Sequence, residues 1–222
     1  IQMGDESEVN YKKIHTIVGA GTGLGIARGL INSDIIEVLS SEGGHIEFAP
    51  KTPKEWELKV WLKDFLNLER ISYERIISGE GLCNIAKWRF SYPDAMNHSF
   101  QKILNESKTS KKTQEKLASE ICKFSEKGDS LLREIENIWL SNYASYLGDV
   151  ALHELCFGGL WISGGTAPKH FKNFKSNSFL KHFSDKGRYK DILKSIPVKV
   201  ILDEEFGLFS AACRAKMLLK TT

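Results

Sequence analysis

The chain has 222 residues, 41% of them hydrophobic and 27% charged, a balance that allows a packed core in one large domain or two small ones. Its 31 basic and 28 acidic residues leave a net charge of +3, too mild to mark a nucleic-acid partner. No apolar run approaches the roughly 18 residues of a membrane span, and the N-terminus lacks a basic-then-apolar signal pattern.

The opening stretch IQMGDESEVNYKK begins at Ile1 and reads as a polar connection inside a longer protein. Ile14 to Val18 is a β-branched run, and Ile26 to Leu30 is apolar again. Gly19, Gly21, Gly23 and Gly25 lie between them, so the segment predicts two strands joined by a glycine-rich turn. Ile46 to Phe48 is a further short strand candidate. Thr52-Pro53-Lys54-Glu55 then gives a helix start, with Thr as N-cap, Pro at the first helical position and Glu three residues on. Trp56, Val60, Trp61, Phe65 and Leu68 follow at helical spacing, which predicts that Trp56 and Trp61 anchor the core.

Ser72 is positioned to cap a short helix through Tyr73-Glu74-Arg75, and Ser78 to Leu82 turns the chain into another helix reaching Trp88. Residues 91–112 read as polar and irregular, with the Lys108-Lys111-Lys112 cluster in a solvated loop. Leu131, Ile135, Ile138, Trp139, Tyr143 and Leu147 mark one long amphipathic helix continuing to Leu155. Leu160 to Ser163 predicts a buried strand ended by Gly164-Gly165, with Thr166-Ala167-Pro168 starting the next helix. Ile196 to Asp203 reads as a strand and Gly207 to Lys220 as a closing helix. The mixture indicates an α/β fold with helices covering a mixed sheet.

Cys83, Cys122, Cys156 and Cys213 lie far apart with no C-x-x-C pair. Cysteine spacing therefore gives no zinc site, and the sequence offers no metal ligand set. Isolated thiols fit a reducing cytoplasm, where they serve as small buried hydrophobes.

Three stretches carry chemistry. In GAGTGLG, glycines let backbone amides approach an anion and Thr22 can add a donor, so a phosphate cradle and a plain turn both remain open. A dinucleotide fingerprint does not fit: counted from Gly19 or Gly21, the last required glycine is Leu24 or Ile26. Glu42, His45 and Glu74 combine two carboxylates with an imidazole, a set suited to sugar hydroxyls. Each could equally be structural, His45 after a turn and Glu74 favouring a helix dipole. In ISGGTAP, a buried strand ending in Gly164-Gly165 would let a flat ring lie against backbone.

The order of these stretches resembles the bacterial-type ATP-dependent glucokinases of the hexokinase, actin and heat-shock ATPase superfamily. The matching segments are GAGTGLGIA (19–27), EGGHIEFAP (42–50), SYERIISGEGL (72–82), GGLWISGGTAPK (158–169), KGR (186–188), IPV (196–198) and GLFSAA (207–212). The resemblance implies a ribonuclease-H-like, actin-like ATPase fold. Residues 1–203 would be the large lobe of a two-lobed sugar kinase, and 204–222 a closing helix packed on the small lobe. It implies ATP and Mg2+ as cofactors, glucose as substrate at the entry to glycolysis, and a homodimer. Gly21, Thr22 and Gly23 would meet the ATP phosphates, Gly164 and Gly165 the adenosine, and Glu42, His45 and Glu74 the glucose.

Two departures accompany the match. No zinc cysteines follow His45, unlike a related repressor and kinase group. The family's first phosphate loop and its catalytic aspartate have no counterpart in the chain, so no catalytic residue is expected here and the isolated chain is expected to lack turnover. The alternative is a non-catalytic sugar-binding or regulatory protein of the same fold.

Overall fold

The computed structural model describes residues 10–32, 35–106, 111–203 and 205–219. Most of the polar opening stretch, Lys108 and Lys220 lie outside the described residues. None of the described helices is long and apolar enough to cross a membrane.

β1 (His15–Ala20) and β2 (Leu24–Asn32) form the expected hairpin, with Gly19 opposite Gly25 and Ala20 opposite Leu24. β3 (Ile35–Ser41), which the sequence pattern does not predict, extends it antiparallel, pairing Ser41 with Ile26. A 3-10 turn over Gly43–His45 follows. The strand expected at Ile46–Phe48 is reduced to an isolated bridge between Glu47 and Ser72, flanked by Phe48 N–H to the Ile71 carbonyl and Tyr73 N–H to the Ile46 carbonyl.

α1 (Pro53–Leu66) starts with the expected capping box: Thr52 accepts from the Glu55 amide and Glu55 reaches back to the Thr52 amide. Its phase differs from expectation. Glu55, Leu58 and Leu62 face inward, whereas Trp56 and Val60 are each 55% exposed and Phe65 and Leu68 are also exposed. Trp61 is half-buried, stacked on Phe65 at 4.5 Å. The capping box explains the rotation, because it holds Glu55 inward and so selects the 55–58–62 stripe.

α2 (Glu74–Ile77) has Tyr73, not Ser72, at its cap position, and no side chain caps it. Ser72 is buried and still in the extended pairing with Glu47, so it cannot also begin the helix. α3 (Gly79–Arg89) is capped by Ser78, which accepts from the Gly81 amide. The region expected to be irregular contains a 3-10 turn (Pro93–Ala95), α4 (Phe100–Glu106) and the start of α5 (Lys111–Glu126), ordered around buried Ala95 and Phe100.

α6 (Ser130–Glu154) is the central helix, about 37 Å long at 1.5 Å per residue. Asp129 caps it and Leu155 ends it in a left-handed conformation, φ 46°. Trp139, Tyr143, Tyr146 and Leu147 are buried along it, each large side chain contributing about 1.5–3 kcal/mol on burial. β4 (Gly159–Ser163) follows, and then turns rather than the helix expected at Thr166. Thr166 is held back by two bonds to the Ala20 carbonyl, from its amide (3.2 Å) and its hydroxyl (2.8 Å). α7 (Phe171–Phe174), α8 (Asn177–Ser184), α9 (Lys190–Lys194), β5 (Val198–Val200) and α10 (Phe206–Leu219) complete the chain.

The described strands form one mixed sheet in the order β3-β2-β1-β4-β5, with β1, β4 and β5 parallel. Gly19 pairs with Ser163 and Ile162 with Val200. The carboxyl ends of β1, β4 and β5, the start of β2 and the end of β3 therefore share one sheet edge. In open α/β sheets, that edge is where backbone amides and loops are free to receive a ligand.

Candidate functional site

The β1–β2 turn is the first wall of the site. The Gly21 amide donates to the Gly23 carbonyl (2.9 Å), and the Gly21 carbonyl accepts from the Gly79 amide at the start of α3 (2.8 Å). Thr22 is exposed at the tip. Gly23 faces the other way: a Cβ there would lie 2.7 Å from Glu74 Oε2. The same oxygen accepts from the Leu24 amide at 2.9 Å.

The second wall is the turn after β4. Gly164 has φ +90°, and a Cβ there would sit 2.4 Å from the Ala20 carbonyl oxygen, so this crossing admits glycine alone without rearrangement. Between the walls lies a cleft of about 710 Å³, within the usual range for a small-molecule site. Gly21, Thr22, Gly164 and Gly165 line it, which unites the residues expected at phosphate and adenosine. Gly23 does not line it; its contact is Glu74. The cleft also gathers Glu80, Lys169 and Asp203. Sequence reading did not assign these three, although Lys169 stands four residues after Gly165 in the quoted motif.

Glu42, His45 and Glu74 lie on the far side of the turn. Gly44 is buried against the Leu24 carbonyl, where a Cβ would come within 2.1 Å of the oxygen. The 3-10 turn is fixed from two more sides: Tyr146 donates to the Gly43 carbonyl (2.8 Å) and Arg70 to the His45 carbonyl (2.7 Å). These bonds hold backbone and leave the flanking side chains open. The Glu42 side chain is 92% exposed and that of His45 is 52% exposed, with Glu42 Oε2 and His45 Nε2 3.8 Å apart. Glu74 is partly buried and reaches the Leu24 amide from the start of α2. Glu74 and Gly44, which stands between Glu42 and His45, thus both contact Leu24, and none of the three sugar candidates lines the cleft.

The sequence profile of the glucokinase family matches residues 1–218. The glucokinase of Synechocystis sp. is 38% identical over 210 residues, 90% of this chain and 58% of that protein. A glucokinase structure from an Antarctic psychrotroph superposes with a TM-score of 0.72 at 25% identity, covering 95% of this chain and 60% of that one. A ROK family glucokinase from Streptomyces griseus in complex with glucose and AMPPNP shares the fold at 19% identity, TM-score 0.56, over 93% of this chain and 61% of its own. The chain thus spans 58% to 61% of the length of these proteins.

Proposed function

We propose, because the chain belongs to the glucokinase family, that it supplies the nucleotide and sugar contacts for ATP-dependent phosphorylation of glucose to glucose 6-phosphate. The observation that carries this reading is the β1–β2 turn. Its tip, Thr22, lines the cleft, while Leu24, two residues on, is gripped by Glu74 and covered by Gly44. One turn therefore stands between the place for the ATP tail and the place for the sugar, as direct phosphoryl transfer requires. Positioning and charge neutralisation do most of the work in such transfers.

In this reading the backbone at Gly21 and Thr22 and the Thr22 hydroxyl meet phosphate oxygens, while Gly23 braces the turn against Glu74. Gly164 and Gly165 present bare backbone to the adenosine, and Lys169 adds positive charge to the cleft. Glu42, His45 and Glu74 hold glucose hydroxyls. Asp203 brings a carboxylate to the cleft, where it would face the Mg2+ of a bound metal–nucleotide complex, whose charge would help neutralise the phosphates. The Streptomyces griseus protein, with glucose and AMPPNP bound on the same fold, supports this pairing of ligands.

The base that takes the proton from the sugar's 6-hydroxyl is assigned outside these 222 residues. Residues 1–203 act as the large lobe and 204–222 as a closing helix. That helix carries Leu208, Phe209 and Leu219 at 67–79% exposure, an apolar surface suited to a further lobe. The assembled enzyme is assigned as a cytoplasmic homodimer.

Equilibrium titrations of the chain with glucose and with a non-hydrolysable ATP analogue test the reading. Both should bind, with no glucose 6-phosphate formed above background, since general-base help is typically worth about 10²–10⁴-fold. Thr22→Val should weaken nucleotide binding and spare glucose. Unchanged nucleotide binding in that variant, or no glucose binding by the parent chain, overturns it.

A further inference from the structure

Behind the cleft wall, three elements bring a thiol, an imidazole and a carboxylate together. Cys122 comes from α5, Glu136 from α6 and His170 from the turn before α7, and their ligating atoms all lie within 4.8 Å of one another. Cys122 Sγ is 3.7 Å from His170 Nε2, and His170 Nδ1 is 3.1 Å from Glu136 Oε1. His170 is 2% exposed and Glu136 7%, whereas Cys122 is partly open.

The neighbours orient this set. Ser125 donates to Glu136 Oε2 at 2.5 Å, Asn173 to Oε1 at 3.4 Å, and the Trp139 ring tilts over the imidazole at 4.7 Å. Placing these groups in a largely apolar interior is costly unless they bind something or one another closely. Zinc bonds of about 2.3 Å to sulfur and about 2.0–2.1 Å to nitrogen and oxygen put tetrahedral donors about 3.3–3.6 Å apart. Only one nitrogen of His170 can face the cation; with one donor atom from each residue the three lie within 4.8 Å of one another, and binding would draw them closer.

We propose that Cys122, His170 and Glu136 form a binding site for one borderline divalent cation, with Zn2+ the best fit. A mixed sulfur, nitrogen and oxygen set favours Zn2+ over Mg2+ or Ca2+, which take oxygen donors. Water fills the fourth position on the open side of Cys122. The site is independent of the sugar-kinase reading and lies outside the cleft, but it adjoins the cleft's lining. Ala118, one helical turn before Cys122, and Lys169, immediately before His170, both face the cleft. The cation would pin α5 and the turn after β4 to α6.

Co2+ is the spectroscopic probe. Titrated into the metal-stripped chain, it should give a thiolate-to-cobalt charge-transfer band that saturates at one equivalent and is displaced by Zn2+. Zn2+ should also raise the melting temperature, reversibly with chelator. Cys122→Ser, a near-isosteric change, should abolish the band, whereas Cys213→Ser should leave it intact. His170→Gln and Glu136→Gln should each weaken binding at least about tenfold. Competition of the parent chain against a chromogenic chelator measures Zn2+ affinity without any variant. Absence of a thiolate band in the parent chain, its survival in Cys122→Ser, or failure of the parent chain to take Zn2+ from the chelator overturns the proposal.

Discussion

On the proposed reading Glu74 serves two partners with one carboxylate. Oε2 holds the Leu24 amide, and the sugar assignment draws on the remaining acceptor capacity. Two substitutions separate these duties. Glu74→Gln retains an acceptor oxygen for Leu24 but loses the charge. Its melting temperature should stay near that of the parent, while glucose affinity falls roughly ten- to a hundredfold, the worth of a hydrogen bond to a charged group. Glu74→Ala should lower both. Glucose binding by Glu74→Gln as tight as the parent's would remove Glu74 from the sugar site. Gly164→Ala tests the other wall. With φ at +90° and a carbonyl 2.4 Å from the new methyl, the turn must shift, and nucleotide binding should weaken while glucose binding persists. At this scale the sequence was informative because glycine runs and acid–imidazole pairs are local patterns. The second duty of Glu74 was hidden, since Leu24 stands fifty residues earlier and only folding joins them.

Among the elements, α1 shows which properties local sequence carries. Its start was legible from Thr52, Pro53 and Glu55 because a capping box is closed within four residues. Its phase was not, because the helix has two apolar stripes and the inward one, Leu58 and Leu62, is the shorter. Removing the cap by Thr52→Ala should cost about 1 kcal/mol, read as a lower midpoint in chemical denaturation. A midpoint unchanged from the parent's would mean that Pro53 and tertiary contacts fix the helix start by themselves. β3 escaped prediction for a related reason. As an edge strand it is paired on one side, and it leaves adjacent Val38 and Leu39 both more than half exposed, so alternation is lost. In the segment after Tyr92, Ala95 and Phe100 bury without a long periodic run, and the short elements there had no pattern to reveal them.

For the whole molecule, sheet order does what no segment can. Parallel pairing of β1 with β4 and β4 with β5 brings glycine turns more than a hundred residues apart to the same edge. The α/β class could be read from alternating patterns, but the strand order could not, because register depends on partners. The helical layer is tied by charge as well as by apolar packing. Arg89 on α3 makes two bonds to Asp94 (2.9 and 2.7 Å) and one to Glu134 on α6 (2.9 Å), and Glu134 also pairs with Lys54 on α1. Burial would raise the Glu134 carboxyl, but the hydrogen bonds from Lys54 and Arg89 outweigh it and hold it below its ordinary value. A depressed carboxylate stabilises the fold above its unfolded value, near pH 4.3, and that contribution is lost as pH falls through the folded value. Melting temperatures from pH 7 down to about pH 3 should fall more steeply for the parent than for Glu134→Gln, which is already weakened at neutral pH. Equal slopes would show that Glu134 is not a source of the acid sensitivity.

Leu24, two residues from the Thr22 tip, is held at its amide by Glu74 and covered at its carbonyl by Gly44. Anything that shifts Glu74 must therefore be felt at the tip, and the two binding events on the proposed reading are energetically linked. Linkage is reciprocal: the factor by which glucose changes affinity for an ATP analogue must equal the factor by which the analogue changes affinity for glucose. Paired titrations on the same protein measure that factor from both directions. In Glu74→Ala, with the strut removed, it should approach one.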